Sequence, residues 1–408
     1  MTHFTGYKCS VCGAEYGPTE VTYTCPKDGG NLDVILDYEA LKKKPVDALV
    51  VKAEASLWRY LPLLPVPDPG GYGTPLRAAG WTPMFSPPAL AKKLDLKHLY
   101  IKDESSNPTA SFKDRASAVL IGRAREIGAE VVVTASTGNA GAALAGMAAA
   151  VGHQSVIFAP KTAPAAKIAQ LQIFGAKVIL VDDNYDAAFK LSLEATAEFG
   201  WYNRNTGYNP FTAEGKKTAA FEIWEQVPVV NEQLSVFVSV GDGNIISGIH
   251  KGFKDLLELG LIEGMPRIFG VQSTGSAAIA NAFNAGNEEI IAVSATTRAD
   301  SISVNMPSDG LRALRAATHT NGAYILVEDE AIIAAIGELG PVGIFAEPAG
   351  ATSYAGLVKA VQDGLINSDD PVVVVNTGSG LKDVNAAMMA AGEAPVIKPT
   401  LDAVKALI

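Results

Sequence analysis

The chain has 408 residues, 48% of them hydrophobic and 7% aromatic, with 33 Lys and Arg against 43 Asp and Glu. That apolar content excludes a disordered chain, and the length allows two or three domains with sizeable cores. A net charge of −10 argues against nucleic-acid and anionic-membrane partners, which need a basic excess, while leaving room for a local anion site.

Residues 1–36 stand apart from the rest. Cys9-Ser-Val-Cys12 and Cys25-Pro-Lys-Asp28-Gly-Gly have the look of a small zinc ribbon in which Asp28 replaces the fourth cysteine. Three thiolates and a carboxylate can hold zinc tetrahedrally; the alternative is a ribbon folded on its hairpins without metal, and no metal is assigned to the functional site. Three cysteines confined to one end make no disulfide framework and point to a reducing cytoplasm. The opening MTHFTGYKCSVCG carries no basic-then-apolar signal pattern, and residues 131–152 begin too polar for a membrane span. An arm over residues 37–97 follows, with the turn-rich run Leu61-Pro-Leu-Leu-Pro-Val-Pro-Asp-Pro-Gly-Gly71.

From residue 98 short β-branched runs alternate with longer helical patterns rich in small residues. Residues 99–102, 131–134, 155–158, 177–181, 235–239, 267–271 and 371–375 read as buried strands. Continuous apolar strands separated by helices imply parallel sheets covered on both faces. The expected fold class is therefore α/β, with two open, mainly parallel sheets and helices on both faces. One half is expected over residues 98–215 and the other over 216–408, with residues 203–218 joining them. Ligands of such sheets bind beyond the carboxyl ends of the strands, so the loops there are the candidates.

After strand 99–102 comes Asn107-Pro-Thr-Ala-Ser-Phe-Lys-Asp-Arg115, in which Lys113 opens a helix expected to reach about Ile127. The helix dipole disfavours a cation at that end. Joining the amine to an aldehyde as an imine would relieve the conflict; a surface lysine is the plain alternative. After strand 131–134, Ser136-Thr-Gly-Asn139 offers hydroxyls and free N–H groups, either as an anion site suited to a carboxylate or as an ordinary N-cap. After strand 235–239, Gly241-Asp-Gly-Asn-Ile245 lets backbone N–H groups approach a phosphate closely. Its place past mid-chain disfavours a dinucleotide fold, whose glycine loop belongs to the first βαβ unit. Phe345-Ala-Glu-Pro and Asn376-Thr-Gly-Ser each also read as helix caps.

In this order the five segments resemble the fold type II family of pyridoxal-phosphate enzymes, and within it the threonine synthases, along nearly the whole chain. The resemblance implies pyridoxal 5'-phosphate as cofactor and Lys113 as the catalytic lysine that carries it. It places Asn139 at the cofactor's ring oxygen, Gly241, Asp242, Gly243, Asn244 and Ile245 around its phosphate, and Thr377 at its pyridine nitrogen. Ser136, Thr137 and Gly138 become contacts for the substrate carboxylate, and Asn205 and Thr206 further substrate contacts. A small amino-acid substrate and a cytoplasmic homodimer are implied, with elimination or replacement chemistry favoured by a neutral hydroxyl at the ring nitrogen. The best match is conversion of O-phosphohomoserine and water into threonine and phosphate.

Three positions depart from the family pattern: Ala140 for a threonine, Thr212 for the arginine after Asn-Pro, and Ser303 for a second arginine. Arginine is the preferred bidentate phosphate clamp. The departures imply either a redrawn phosphate site using Arg204, Lys216 or Lys217, or a sister enzyme acting at the β-carbon with another leaving group, such as an ammonia-lyase, a dehydratase or a sulfur-nucleophile synthase. The intact Lys113 and glycine loop argue against a third reading, an inactive binding protein on this fold.

Overall fold

The structure, a computed structural model, describes residues 2–408. The N-terminal ribbon is an antiparallel sheet of β1 (Phe4–Cys9), β2 (Glu15–Tyr16) and β3 (Leu32–Leu36) in the order β2-β1-β3. The chain continues through β4 (Met84–Phe85), β5 (Leu99–Asp103), β6 (Val131–Ala135), β7 (Gln154–Pro160), β8 (Lys177–Val181) and β9 (Tyr202–Asn203). It ends with β10 (Ser235–Ser239), β11 (Arg267–Ser273), β12 (Tyr324–Val327) and β13 (Val372–Asn376). A four-stranded sheet in the order β8-β7-β6-β9 is parallel throughout. A six-stranded sheet in the order β12-β11-β10-β13-β5-β4 is parallel except for the edge strand β4.

The apolar runs explain why these strands lie inside. Successive side chains of a strand point to opposite faces, and in the large sheet both faces are covered. Val236, Val238, Ile268, Val373 and Val375 join the core shared with helix Asn244–Glu258, while Phe237, Phe269, Val271, Val372 and Val374 meet Ile332, Ile336 and Tyr354 on the other side. The small sheet repeats the arrangement. Val133, Val156 and Phe158 pack on helix Tyr185–Phe199, and Ile157 packs on helices Asn139–Ala149 and Ala165–Ile173. Among the described residues no helix is long and apolar enough to cross a membrane.

One expectation needs correction. The 98–215 unit does not coincide with a sheet, because β5 lies beside β13 in the large sheet, 273 residues away in sequence, with Leu99 opposite Val372 and Asp103 opposite Asn376. Leu99 and Ile101 complete the second core face of that sheet, and Lys102 meets Glu222 on the other side at 2.6 Å. β12, whose Tyr-Ile-Leu-Val run escaped the sequence reading, closes the opposite edge. The carboxyl ends of β5, β6, β10 and β13 lead into the four loops from which the site is built.

Candidate active site

Lys113 begins helix Lys113–Glu126, and the loop before it is held from several sides. Asp114 accepts from Thr109 N at 2.6 Å and from Thr109 Oγ1. Asn107 Oδ1 accepts from Gly80 N at 2.9 Å, and its amide donates to Glu104 Oε2 at 2.8 Å. Ala110 is pinned in the left-handed region at φ 63°, a strain kept only where the surroundings over-determine the backbone. Phe112 N donates to Thr377 O at 2.9 Å, which sets the lysine segment against the loop after β13. The Lys113 amine itself has no hydrogen-bond or ion-pair partner among the described residues. Burial, and secondly the Arg204 charge, bring its pKa down to about 8. An amine so placed is a nucleophile and base at neutral pH.

Two further buried cations face the same space. Arg204 donates from Nη1 to Thr206 Oγ1 at 2.7 Å and from Nε to Ser117 Oγ at 3.3 Å, but Nη2 is buried without a partner. Burial alone lowers its pKa to about 10. Lys216 is fully buried, forms no carboxylate pair and bonds Asn244 Oδ1. Burial, then the charges of Lys113 and Arg204, push its pKa well down. Three basic groups in one buried space, of which Arg204 depresses both lysines and Lys113 depresses Lys216, call for an anion. Lys217, by contrast, is neutralised by Glu214 at 2.6 Å and Asp255 at 2.8 Å, which removes it from the candidates.

The glycine loop lies beside them. Gly243, at φ 89°, caps helix Asn244–Glu258 without any side-chain bond, leaving its first-turn N–H groups open to an anion. A Cβ on Gly243 would stand 2.6 Å from Ala313 Cβ, and one on Gly241 2.8 Å from Ile302 Cα, so neither position tolerates a side chain. Asp242 Oδ1 accepts from Ser308 Oγ at 3.0 Å, and Asn244 Nδ2 donates to Asp309 Oδ2 at 2.7 Å. The side chains of Asp242 and Asn244 therefore brace the loop, and their backbone remains for the ligand. Ile245 is half-buried beyond them.

Ser136, Thr137 and Gly138 are half-buried at the start of helix Asn139–Ala149, which has Gly138 as N-cap and no side-chain cap bond. The loop is thus an open helix N-terminus, not an ordinary hydroxyl cap. Asn139 Nδ2 donates to Glu347 Oε1 at 2.8 Å. Glu347 was not singled out as a site residue in the sequence; burial raises its pKa to about 7, with Lys113 opposing. Only its place in the Phe345-Ala-Glu-Pro segment signalled it. Thr377 is buried, and its hydroxyl has no partner among the described residues. Asn205 departs from the substrate contact expected of it. Its Oδ1 accepts from Thr134 Oγ1 and Ala135 N, both at 2.9 Å, and its Nδ2 donates to Ser192 Oγ at 2.9 Å. It positions the loop, and Thr206 beside it holds Arg204.

These groups suit a phosphate-bearing aldehyde cofactor. A partner-free amine stands at Lys113, uncapped N–H groups at Gly243–Ile245 and a free hydroxyl at Thr377. Comparisons with known proteins agree. Residues 76–378 match the family model described as pyridoxal-phosphate dependent enzyme. The threonine synthase of Methanocaldococcus jannaschii is 39% identical over 406 residues, covering 98% of each chain. That of Methanosarcina acetivorans is 38% identical with the same coverage, and that of Mycobacterium tuberculosis 35% identical over 76% of this chain and 84% of its own. Among solved structures, threonine deaminase isoform 2 of Solanum lycopersicum is similar with a TM-score of 0.67 at 24% identity, over 79% of this chain and 85% of that one. Maize serine racemase is similar with a TM-score of 0.66 at 24% identity, over 76% and 91%. The likeness to these two is one of fold.

Proposed function

The chain belongs to the pyridoxal-phosphate dependent enzymes and, within them, to the threonine synthases; from that premise we propose that it converts O-phosphohomoserine and water into threonine and phosphate through the residues just described. Pyridoxal phosphate, when bound, supplies an aldehyde that captures an amine and a ring that draws electrons from the substrate's α-carbon. Lys113 would hold it, with Gly241–Ile245 around its phosphate, Asn139 at its ring oxygen and Thr377 at its ring nitrogen.

The protein's own residues then do the following. Lys113, near pKa 8, would take the proton from the substrate's α-carbon as general base once the substrate amine holds the cofactor. Ser136, Thr137 and Gly138, at an open helix start, receive the substrate carboxylate. Glu347 orients Asn139 and, near pKa 7, can hold or release a proton at neutral pH. Arg204 and Lys216 bind the substrate phosphate and balance its charge as it leaves the γ-carbon. The γ-carbon–oxygen bond breaks and the γ-carbon gains the proton that the β-carbon loses, while water gives its hydroxyl to the β-carbon and its remaining proton to the departing phosphate.

The observation that carries this reading is the pair of buried cations without carboxylates, Arg204 and Lys216. Thr212, where the resemblance to the family implies an arginine, lies one helical turn before Lys216, and both side chains reach Asn244 Oδ1. Lys216 thus brings back, from the same face, the charge that Thr212 lacks. The same reading carries a cytoplasmic setting, which the three free cysteines favour, and a homodimer, which sedimentation velocity will test.

Threonine and inorganic phosphate should form in equal amounts from O-phosphohomoserine. Arg204→Met and Lys216→Met should each raise KM roughly ten- to a hundredfold, the worth of one desolvated charge-assisted contact. Ammonia and 2-oxo acid from an unphosphorylated amino acid, with no turnover of O-phosphohomoserine, would instead identify the sister enzyme.

A further inference from the structure

Cys9, Cys12, Cys25 and Asp28 lie on two turns of the ribbon that repeat one another. In the first, Cys9 N donates to Ala14 O at 2.8 Å and Gly13 N to Cys9 O at 3.1 Å. In the second, Cys25 N donates to Gly30 O at 2.9 Å and Gly29 N to Cys25 O at 2.8 Å. Gly13 and Gly29 both stand at φ 72°, where glycine is favoured. The repeat puts Asp28 in the second turn where Cys12 stands in the first.

The four side chains converge. One ligand atom from each lies within 4.8 Å of all the others. Cys12 Sγ is 3.7 Å from Cys25 Sγ, and Cys9 Sγ is 3.4 and 3.6 Å from the two Asp28 oxygens. A tetrahedron around zinc, with Zn–S of about 2.3 Å and Zn–O of about 2.0 Å, has S···S edges of about 3.8 Å and S···O edges of about 3.5 Å. The Cys12–Cys25 and Cys9–Asp28 edges match, and the sulfur separation is far beyond the roughly 2.05 Å of a disulfide. Val11 N lies 3.4 Å from Cys9 Sγ and Tyr16 OH 3.1 Å from Cys25 Sγ, the outer hydrogen bonds that orient metal ligands. A Cβ on Gly30 would stand 2.9 Å from both Cys9 Sγ and Asp28 Oδ1, so the absence of a side chain there keeps the ligands together.

We propose that Cys9, Cys12, Cys25 and Asp28 bind one structural zinc ion, and that this ion fixes Asn31 across the rim of the active site. Three thiolates and one carboxylate in a closed tetrahedron suit zinc and leave no position for substrate. Asn31 follows the second turn directly. Its amide donates to Gly207 O and, at 3.0 Å, to Ser308 O. Ser308 Oγ in turn reaches Thr206 O at 3.1 Å and Asp242 Oδ1 at 3.0 Å, so one ribbon residue ties the Arg204–Thr206 loop to the glycine loop.

The test is metal analysis of the full-length protein together with amide hydrogen exchange. One zinc per chain is expected, lost in Cys25→Ser and retained in Asp28→Cys, and cobalt in its place should show the intense absorption of a tetrahedral thiolate site. Removing zinc should speed exchange at residues 206–209 and 308–309 while β10 stays protected. A protein that binds no zinc in competition with a chromophoric chelator, or that binds it equally well as Cys25→Ser, overturns the site. Undiminished zinc affinity in Asp28→Ala overturns the fourth ligand. Unchanged exchange around Gly207 after zinc removal overturns the link to the active site.

Discussion

Lys102 is buried and Lys113 half-buried near the carboxyl end of β5, and their partners separate them. Lys102 meets Glu222 at 2.6 Å, Thr82 O at 2.7 Å and Gln226 Oε1 at 2.7 Å, so its ammonium is held in place, while Lys113 has no such partner. Borohydride reduction of the yellow holoenzyme followed by peptide mapping should put the cofactor on Lys113, and Lys113→Ala should be colourless; label on Lys102 would refute the assignment. Glu347 makes a prediction of opposite electrostatic kind. Its folded pKa of about 7 lies above the ordinary 4.5, because burial disfavours the carboxylate. The folded chain keeps a proton that the unfolded chain has lost, so the stabilisation present below about pH 4.5 fades as pH rises to about 7. That displacement corresponds to on the order of 3 kcal/mol. In urea titrations of cofactor-free protein, Glu347→Gln should therefore gain on the native chain across this window. A gap independent of pH would mean that Glu347 is ionised throughout.

Lys216 ends helix Phe211–Lys216 and Lys217 caps the junction with helix Thr218–Gln226, and these two adjacent lysines have opposite duties. A helix turns about 100° per residue, so neighbours look in different directions. Lys217 turns toward Glu214 and Asp255, and Lys216 toward Asn244 and the active site. The close fit of the elements sets this phase. A Cβ on Gly215 would lie 2.0 Å from Arg115 O, and one on Gly248 would lie 2.6 Å from Lys216 Cβ. Lys217→Met should cost on the order of 3–5 kcal/mol, because it leaves two buried carboxylates, Glu214 and Asp255, to share the one remaining cation, Lys251. Lys216→Met removes a buried amine that makes no direct ion pair among the described residues and should leave stability equal or higher in the absence of anions. Added phosphate should then raise the urea midpoint of the native protein and not of Lys216→Met. Loss of stability in both variants alike would place Lys216 in the scaffold. Both lysines were candidates in the sequence, and nothing in the Gly-Lys-Lys-Thr run distinguishes them.

The sheets and the ribbon bind distant parts of the chain into one unit. β5 needs β13 beside it, and Arg115 ties Glu104 at 2.7 Å to Glu222 in a fully buried network. A chain ended at residue 234 lacks β10–β13, leaves the apolar faces of β5 exposed, and should show no cooperative urea transition in near-ultraviolet circular dichroism. A sharp transition in that fragment would show that the large sheet is not needed by what precedes it. At this scale the division between sequence and structure is plain. The alternating apolar strands, the lysine opening a helix, the Gly241–Gly243 turn and the repeated Cys-x-x-Cys and Cys-x-x-Asp turns were legible in the sequence, since periodicity and turn chemistry act over a few adjacent residues. The place of β5 in the large sheet, the carboxyl of Glu347 beside Asn139, the internal bonding of Asn205 and the separation of Lys216 from Lys217 were decided only by the tertiary structure. Burial and the choice of charge partner depend on segments up to hundreds of residues apart, and no local pattern records which of them will meet.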